Sequence, residues 1–558
     1  MASDGKKRYD AIVVGSGATG SIAVKELTER GLEVLLVESG RDISEADFLP
    51  PQEEMRPRPM GVNLWPRVKA GLRGQHVQSR RAFYSPRTNA FLVNDREHPY
   101  STPAGQYFLW IRGHMLGGRL NTYGRMLLRM SEFDFSGDET REAWPISYSD
   151  VEPWYERVEE LIGIYGNQDG LPFLPDSRYV GPGYLTAVER QFRTSVQERW
   201  PDRRVISWRY AAPNPHRVPR GILAARETGR LTTLTDSIVT RVTTDDRTGK
   251  ATGVVYVNRL TRLEGRAEAD VVVLCASTIE SIRLLLNSAA PKHPSGLGNS
   301  SGLLGKYFMD QTPSLTFGDC PGHLGWEADT SAPPDDFYPP AGGIYVPRFD
   351  NLDRRTDDSF KTGMAFQGAM GRIPVPDDHP ATFGLMGYGE MLAYRDNTIT
   401  LNPSKRDKWG VPIPHISITL QENELALLRA QVRTSREMLE QAGFRVNFAG
   451  SSLGLDSPNV WPNADPFSRW MFRLNFRKSV GIGAAIHECG GARMGSDPAT
   501  SVLNQFNQSW DVPNLFVTDG SCYVTNGMVG PTLTIMALTA RACEYIAKEH
   551  AQGAGLAA

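Results

Sequence analysis

The residues with the clearest chemical meaning are three glycines close to the start of the chain. Gly15, Gly17 and Gly20 follow directly on Ala11–Val14, a short apolar run typical of a strand covered on both faces of a parallel sheet. In this spacing the first glycine allows a tight turn, the second lets the backbone approach a pyrophosphate, and the third permits close packing of helix and strand. The helix that follows directs free N–H groups and its positive dipole end at the phosphates. The chemistry predicted here is the binding of a dinucleotide.

A carboxylate completes this motif at the end of the next predicted strand. Glu33–Val37 predicts that strand, and Glu38 follows it with Ser39 beside it. An acid about 20 residues beyond the glycines can accept hydrogen bonds from an adenosine ribose. The order of strand, glycines, helix, strand and acid predicts a nucleotide-binding βαβ unit, with a phosphate-free βαβ unit as the alternative. This unit alone does not separate FAD from NAD.

A histidine near the other end of the chain stands in an apolar, glycine-rich loop. His487 lies within Gly481–Asp497, which reads GIGAAIHECGGARMGSD. An imidazole titrates near neutral pH, so it can take up a proton at such a position. A packed histidine that only stabilises the glycine loop is the alternative.

Three more segments combine glycine or proline with a predicted element. Gly117 and Gly118 lie in a polar, glycine-bearing stretch where the backbone could approach a flat ring. A short apolar strand ends at Asp519 and Gly520. Pro531 begins a long helical pattern, and we expect it at the first helical position, where its missing N–H costs nothing.

The strands that must position these residues are spread along the chain. Thr232–Thr243, Ala251–Val257 and Asp270–Ala276 predict strands more than two hundred residues after the first βαβ unit. The nucleotide-binding sheet must therefore be assembled from separated segments. Between two of these segments, a helix is predicted to begin with Ser149 or Asp150 as its N-cap.

The segment Cys320–Val480 has a different character, with Pro- and Asp-rich loops between short strands. Asn397–Asn402 and His415–Leu420 alternate as half-exposed antiparallel strands do, and Glu422–Ala442 is an amphipathic helix. We expect a sheet-and-helix cap that carries the substrate. The predicted fold class is α/β, a Rossmann-like domain with an α+β substrate domain whose sheet is mostly antiparallel.

Length and composition set outer limits on these interpretations. A chain of 558 residues exceeds what one core normally holds, so two or more domains are expected. The formal net charge of −2, without a basic block, argues against nucleic acid or an anionic membrane surface as the main partner. Five scattered cysteines predict neither disulfides nor a metal site. With no apolar run of about 18 residues and no signal-peptide pattern, the sequence predicts a soluble, cytoplasmic protein.

Taken together, these motifs resemble the glucose–methanol–choline (GMC) oxidoreductases along nearly the whole chain. The resemblance rests on GSGATG…VESG, LGGRLNTYG, WPISYSDVEPWY, VVVLCASTIESIRLLLNS, GLGNSSGLLGKYFMDQ, HECGGARMGSDP and NLFVTDGS…GPTLTIMAL. The sequences and spacing of these motifs are most similar to those of bacterial sugar and glycoside oxidoreductases and of pyranose oxidase. The family implies bound FAD and oxidation of an alcohol by hydride transfer to the flavin. The motifs around His487 and Asp519 are not expected in an NAD-dependent dehydrogenase, so they argue against that class.

The resemblance also divides the chain and assigns roles to residues. The FAD-binding domain is expected at residues 1–60, 105–150, 225–319 and 481–558, and the substrate-binding or cap domain at 61–104, 151–224 and 320–480. The residues expected at the ADP half of FAD are Gly15, Gly17, Gly20, Glu38, Ser39, Val239 through its backbone, and Ala276. Those expected at the flavin and its ribityl–pyrophosphate are Gly117, Gly118, Asn121, Thr122, Asp519, Gly520, Pro531 and Thr532. His487 occupies the family's catalytic base position.

The sequence departs from the family pattern at three places. Relatives usually carry His or Asn directly before the Pro-Thr of the last helix, where this chain has Gly530, and Asn526 could take that role if the loop bends inward. Thr122 stands where pyranose oxidase has a histidine linked to FAD, so FAD is expected to be non-covalent. Ala212–Gly221 holds no cysteine, so the iron–sulfur cluster of some relatives is expected to be absent.

Several functional alternatives stay open at this point. The same fold and histidine also serve flavin-bearing hydroxynitrile lyases. A sugar, glycoside or related polyol is the expected substrate, but acidic residues such as Glu390 leave an amino sugar open, and a non-sugar alcohol is a further alternative. The sequence does not decide between oxygen and another electron acceptor, and therefore between an oxidase and a dehydrogenase.

Overall fold

The computed structural model describes residues 8–48, 65–82, 84–327, 342–457, 460 and 465–555. Parts of the predicted domain ranges, including residues 1–7 and 49–64, lie outside them. The helices are α1 Ala18–Glu29, α2 Trp65–Leu72, α3 Pro86–Asn89, α4 Glu132–Ser136, α5 Tyr148–Ile162, α6 Ala187–Arg199, α7 Arg220–Glu227, α8 Thr278–Asn287, α9 Glu422–Gln441, α10 Pro466–Ser479 and α11 Thr532–Gly555. No helix in these described ranges has both the length and the apolar character needed to cross a bilayer.

The strands fall into two large sheets and three small ones. The strands are β1 Arg8–Val14, β2 Val34–Val37, β3 Ile164–Tyr165, β4 Tyr179–Gly181, β5 Ile206–Ser207, β6 Tyr210–Ala211, β7 Leu231–Leu234, β8 Ser237–Thr244, β9 Ala251–Asn258, β10 Glu264–Leu274, β11 Lys306–Met309, β12 Thr312–Leu324, β13 Ile344–Val346, β14 Met364–Gly368, β15 Pro380–Gly389, β16 Thr398–Arg406, β17 Pro412–Ser417, β18 Arg445–Ser451, β19 Gly454–Leu455, β20 Cys489–Gly491 and β21 Leu515–Val517. Two-stranded ladders join β16 with β17 and β11 with β20, and a three-stranded sheet has the order β4-β3-β6.

The first large sheet is assembled from widely separated segments, as the sequence predicts. Its order is β7-β2-β1-β10-β9-β8, and β21 pairs with the end of β10. The pairs among β7, β2, β1, β10 and β21 are parallel, while β10, β9 and β8 run antiparallel. The apolar residues of β1, β2 and the end of β10 are buried because helices cover this part of the sheet.

The second large sheet is antiparallel throughout, in the order β19-β18-β12-β15-β14-β13-β5. Helix α9 packs on β12, β15 and β18 and buries its apolar face there. The predicted helix over Glu422–Ala442 is present as α9. The strands predicted over Asn397–Asn402 and His415–Leu420 correspond to β16 and β17, which pair antiparallel, although β17 begins three residues earlier and ends at Ser417. The expected fold class, an α/β unit with an antiparallel sheet-and-helix unit, is confirmed.

Three local predictions need correction. The strand predicted over Thr232–Thr243 is two strands, because Asp236 has a φ of +51° and turns the chain between β7 and β8. Helix α5 is capped by Ser147, with Asp150 at the third helical position of a capping box. Helix α11 starts at Thr532, so Pro531 precedes the first helical residue, and its carbonyl accepts from Ile535 N at 3.0 Å.

Candidate active site

The glycine loop after β1 has the geometry that the motif predicts. Gly15 adopts a φ of +94°, and a Cβ at Gly20 would lie 1.8 Å from the Gly15 carbonyl oxygen. Gly17 is the N-cap of α1, has no side-chain cap, and has open space where its Cβ would point. No side chain therefore caps the first N–H groups of α1, at the positive end of the helix. This arrangement fits the phosphates of a dinucleotide.

Glu38 and Ser39 lie against this loop. The Glu38 carboxylate, only 6% exposed, accepts hydrogen bonds from Ser16 N at 3.0 Å and Gly40 N at 2.7 Å, and from the Ser16 hydroxyl. The Ser39 hydroxyl donates to the same carboxylate at 3.2 Å. Glu38 thus ties the end of β2 to the glycine loop, in addition to the ribose contact expected of it.

The second glycine segment lies directly on the first. Gly117 N donates to the Ser16 hydroxyl oxygen at 2.8 Å, and a Cβ at Gly118 would lie 3.5 Å from the Gly17 Cα. Gly118–Asn121 forms a short 3-10 helix, in which the Asn121 amide donates to Leu116 O at 2.9 Å. Thr122 ends it at a half-buried position. The four predicted flavin-loop residues are therefore adjacent to the predicted phosphate loop.

The end of β10 and the segment after β21 meet beside these loops. Asp519 accepts hydrogen bonds from the Ser281 hydroxyl and from Ser521 N at 3.1 Å. Ser281 in turn accepts from Ala276 N at 3.3 Å, and the Ala276 Cα lies 3.0 Å from where a Gly15 Cβ would be. Burial raises the pKa of Asp519, and these hydrogen bonds oppose the rise.

The remaining predicted cofactor residues lie on elements that border the glycine loops. A Cβ at Gly520 would lie 2.7 Å from the Glu488 carbonyl oxygen, so only glycine fits there. Val239 lies on β8, whose first residue, Ser237, donates from its backbone N to Glu38 O at 2.9 Å. Pro531 and Thr532 begin α11, which packs against α1.

His487 is held by the residues that follow β11. The antiparallel ladder of β11 with β20 brings Asp310 and Gln311 beside the loop that precedes β20. The Asp310 carboxylate accepts from His487 N at 3.0 Å and Gly483 N at 2.7 Å. The His487 ring lies with Nδ1 2.7 Å from Gln311 Oε1 and stacks on Tyr388 at 5.3 Å between ring centroids.

The surroundings of His487 and Asp310 shift the pKa values of both residues. Burial, with the positive charge of Arg119, lowers the pKa of His487 to about 3. Burial and the nearby Glu488 carboxylate raise the pKa of Asp310 to about 7, although three backbone N–H groups oppose the rise. Arg119 is itself paired with Glu488 at 2.9 Å. The imidazole is therefore neutral at neutral pH.

Gly530, where the sequence departs from the family pattern, and Asn526, the residue expected to substitute for the missing side chain, lie at the two ends of a short loop. A Cβ at Gly530 would lie 3.2 Å from His487 Nε2, so glycine leaves space beside that nitrogen. Asn526 is 1% exposed, and neither its Oδ1 nor its Nδ2 has a hydrogen-bond partner among the described residues. The structure therefore buries Asn526 without bonding it to His487. A buried amide without a hydrogen-bond partner costs about 1–3 kcal/mol.

The antiparallel sheet supplies a polar wall near the ring. Gln367 donates to the Tyr388 hydroxyl at 2.7 Å, and Tyr345 donates to Met528 O at 3.1 Å. Directly after β15, Glu390 is 1% exposed and forms ion pairs with Arg348 at 3.0 Å and Arg141 at 3.7 Å. Arg141 is also paired with Asp138 at 2.7 Å.

The comparisons with known proteins agree with this architecture. Residues 393–539 match the model of the GMC oxidoreductase C-terminal family. The chain is 28% identical to 2-methyl-1,2-propanediol dehydrogenase of Mycolicibacterium austroafricanum, over 97% of this chain and 95% of that protein. It is 24% identical to paromamine 6'-oxidase of Streptomyces fradiae, over 98% and 92%, and 23% identical to the gluconate 2-dehydrogenase flavoprotein of Pantoea cypripedii, over 98% and 95%.

Solved structures share the fold at lower identity. Pyridoxine 4-oxidase from Mesorbium loti superposes with a TM-score of 0.58 at 17% identity, over 96% of this chain and 98% of that one. A variant of Aspergillus oryzae formate oxidase gives 0.64 at 15% identity, over 99% and 100%. The family match and the named relatives support an oxidoreductase that acts on CH–OH groups. Residues 393–539 match the GMC oxidoreductase family, whose members depend on FAD, and the resemblance to that family in the sequence is confirmed.

Three residues around His487 were not among the predicted site residues. Asp310 and Gln311 end a motif that the sequence shows, GLGNSSGLLGKYFMDQ, but nothing local connects that motif to a histidine 176 residues later. Tyr388 lies in a strand with no distinguishing pattern. Only the pairing of β11 with β20 and the orientation of β15 bring these side chains together.

Proposed function

We propose that this protein oxidises an alcohol group of a sugar, glycoside or related polyol, with non-covalently bound FAD and with His487 as the base. The observation that carries the proposal is the neutral imidazole of His487, whose Nε2 faces the space left by Gly530. A hydroxyl group placed in that space can lose its proton to Nε2. Loss of the proton makes it easier to remove hydride from the carbinol carbon. FAD, when bound, supplies the hydride acceptor.

The residues proposed to hold FAD are those that converge around Ser16. The open N-terminus of α1 and Gly17 would receive the pyrophosphate, Glu38 and Ser39 the ribose, and the segment from Gly117 to Thr122 the flavin. Thr122 has no imidazole to form a histidyl link, which supports a non-covalent cofactor. The division into an FAD-binding and a substrate-binding domain is part of this proposal.

The substrate class is argued from neutral hydrogen-bonding groups. The unpaired amide of Asn526 and the pair of Gln367 and Tyr388 offer donors and acceptors that suit hydroxyl groups. The Glu390 carboxylate is buried and already paired with Arg348 and Arg141, so it is not free to bind an ammonium group. This favours a neutral polyol or sugar over an amino sugar. The names of the relatives, which include a propanediol dehydrogenase and a gluconate dehydrogenase flavoprotein, support a hydroxylated substrate.

The test is an anaerobic screen of sugars, glycosides and diols for bleaching of the flavin, followed by admission of oxygen. Acid precipitation should release the FAD into the supernatant, and colour retained in the pellet would contradict non-covalent binding. His487→Ala should keep FAD but slow bleaching by about 10²–10⁴, the usual contribution of a positioned base. His293→Ala is the matched control, because His293 is a half-buried histidine whose imidazole Nε2 lies 3.1 Å from Gly249 O, away from the candidate site. Bleaching of His487→Ala at the wild-type rate would remove His487 from the mechanism. A substrate that is cleaved without any bleaching would favour the lyase alternative.

A further inference from the structure

Gln311 connects the ring of His487 to the loop that precedes α11. The side chain is buried at 2% exposure. Its Nε2 donates to Gly527 O at 3.1 Å and to Val529 O at 3.3 Å, while its Oε1 lies 2.7 Å from His487 Nδ1. All three polar contacts of this amide are therefore made inside the protein.

The two carbonyl groups fix which way the amide points. Carbonyl oxygens only accept hydrogen bonds, so the atom of Gln311 that faces Gly527 and Val529 must be the NH₂ group. A flipped amide would set its oxygen against two carbonyl oxygens and lose both bonds. The correct orientation places Oε1, which only accepts, against His487 Nδ1. The hydrogen of the neutral imidazole must then lie on Nδ1, and Nε2 carries the lone pair.

We propose that Gln311 is a positioning residue that holds His487 in the Nδ1–H tautomer, so that Nε2 is the basic atom beside Gly530. The inference rests on the proposed role of His487 as base and deepens it. Of the two ring nitrogens, Nε2 is the one that faces the space next to Gly530. The opposite tautomer would present an N–H there, which donates a hydrogen bond but does not accept a proton.

Among the described residues, no other group near the ring selects the tautomer of His487. Asp310 accepts from the backbone N of His487, and Glu488 is paired with Arg119. Arg119, in the 3-10 helix Gly118–Asn121, acts on the ring through its positive charge, and Tyr388 stacks on the His487 ring. In the part of the chain that the structure describes, Gln311 is the hydrogen-bond partner found for the ring.

The tautomer can be measured independently of turnover. The FAD-loaded enzyme is labelled with [¹⁵N]histidine, and the His487 signals among the ten histidines are identified by their loss in His487→Ala. In the wild type we expect Nδ1 to give the shift of a protonated ring nitrogen and Nε2 that of an unprotonated one. Gln311→Met keeps the side-chain volume but removes both polar atoms, and should give a mixture or reversal of the two shifts.

A matched control is Gln431→Met, since Gln431 is another buried glutamine whose amide donates to Thr312 Oγ1 at 3.3 Å. It should leave the His487 shifts unchanged. Gln311→Glu retains an acceptor at Nδ1, so the ring should keep the Nδ1–H form. Its added negative charge should move the acid limb of the pH profile of kcat/KM to higher pH. In Gln311→Met, kcat/KM should fall by about 10–10³ while FAD content is retained.

Two results would overturn the inference. One is a wild-type His487 with Nδ1 unprotonated, and the other is a Gln311→Met enzyme that keeps the pure Nδ1–H form. Failure of the proposed function is distinguishable, because it appears as normal bleaching in His487→Ala, whatever the ring shifts are. If Gln311→Met fails to retain FAD, the shifts of Gln311→Glu and of the wild type still decide the question.

Discussion

The two parts of the candidate site differ in how far apart their residues lie in the sequence. The predicted nucleotide-binding part is formed by neighbouring residues, whereas the part around His487 is formed by distant ones. Around Ser16, the glycines, α1 and Glu38 come from one segment of about thirty residues, Tyr9–Gly40, whose order alone sets their geometry. Around His487, the ring, Gln311 and Tyr388 come from three strands or loops that are distant in sequence. A phosphate site thus needs one local turn, whereas a positioned base needs several long-range contacts to agree.

The largest effect is expected where the local turn is tightest. In Gly20→Ala, the added Cβ would meet the Gly15 carbonyl oxygen at 1.8 Å, which the backbone cannot accommodate without moving. We expect loss of FAD and a destabilisation of several kcal/mol, because α1 must separate from β1. FAD absorbance and thermal unfolding measure the two effects. Gly322→Ala is the control, since nothing lies within 4 Å of its Cβ position. A Gly20→Ala protein with full FAD content would contradict the assigned packing.

A smaller effect, on turnover but not on stability, is expected for Asn526→Ala in the part of the site around His487. Asn526→Ala should lower kcat and kcat/KM together by about 10–100-fold, because a hydrogen bond to the reacting oxygen strengthens as charge develops. Since the amide has no partner among the described residues, the free energy of unfolding should change little or increase. Steady-state kinetics and denaturant unfolding together test this separation. Unchanged kinetics would remove Asn526 from the site.

Gly530→Asn sharpens the same test. The family resemblance leads to the expectation of Asn or His at that position, yet a Cβ here would lie 3.2 Å from His487 Nε2. We expect a loss of activity, because the side chain would occupy the space proposed for the substrate hydroxyl. A gain in rate would instead mark Gly530 as a gap in the hydrogen-bonding of the site.

The smallest expected effects concern stability and pH. The pKa of His487 is lowered to about 3 on folding from about 6.5, so the unfolded state binds more protons and wild-type stability rises with pH between these values. The pKa of Asp310 is raised to about 7 from about 3.9, so its contribution has the opposite sign and stability falls as pH rises through that interval. Each slope is at most about 1.4 kcal/mol per pH unit.

The two variants should therefore diverge. Relative to the wild type, His487→Ala should become less stable as pH rises from 4 to 6, and Asp310→Asn should become more stable over the same range. Urea unfolding at several pH values measures both differences. Parallel curves for the two variants would show that these pKa directions are not those of the folded protein.

The sequence predicts the nucleotide-binding motif well, because its residues are close together in the chain. It predicts the surroundings of His487 only in part. The glycine motif, the αβ order and the helix of Glu422–Gln441 depend on short-range periodicity, which the sequence carries directly. The division of Thr232–Thr243 into β7 and β8 depends on one residue with positive φ, Asp236, and has no strong local signal. His487 was identified through its resemblance to a family motif. Its partner Gln311 was not, because strand pairing between β11 and β20 is a property of the folded chain.

The ladder of β11 with β20 has a consequence for how this scaffold can be altered. It attaches the base and the residues that orient it to the helix and loop of the nucleotide side, through α8 and Gly520. The polar wall of β14 and β15 belongs to a separate sheet. Libraries that vary β14 but keep Gln367, which holds the Tyr388 ring against His487, can therefore search for new substrates while the proposed proton-transfer residues stay in place. Libraries that reach Met309 or Cys489, which pair across the ladder, would change selectivity and chemistry at once.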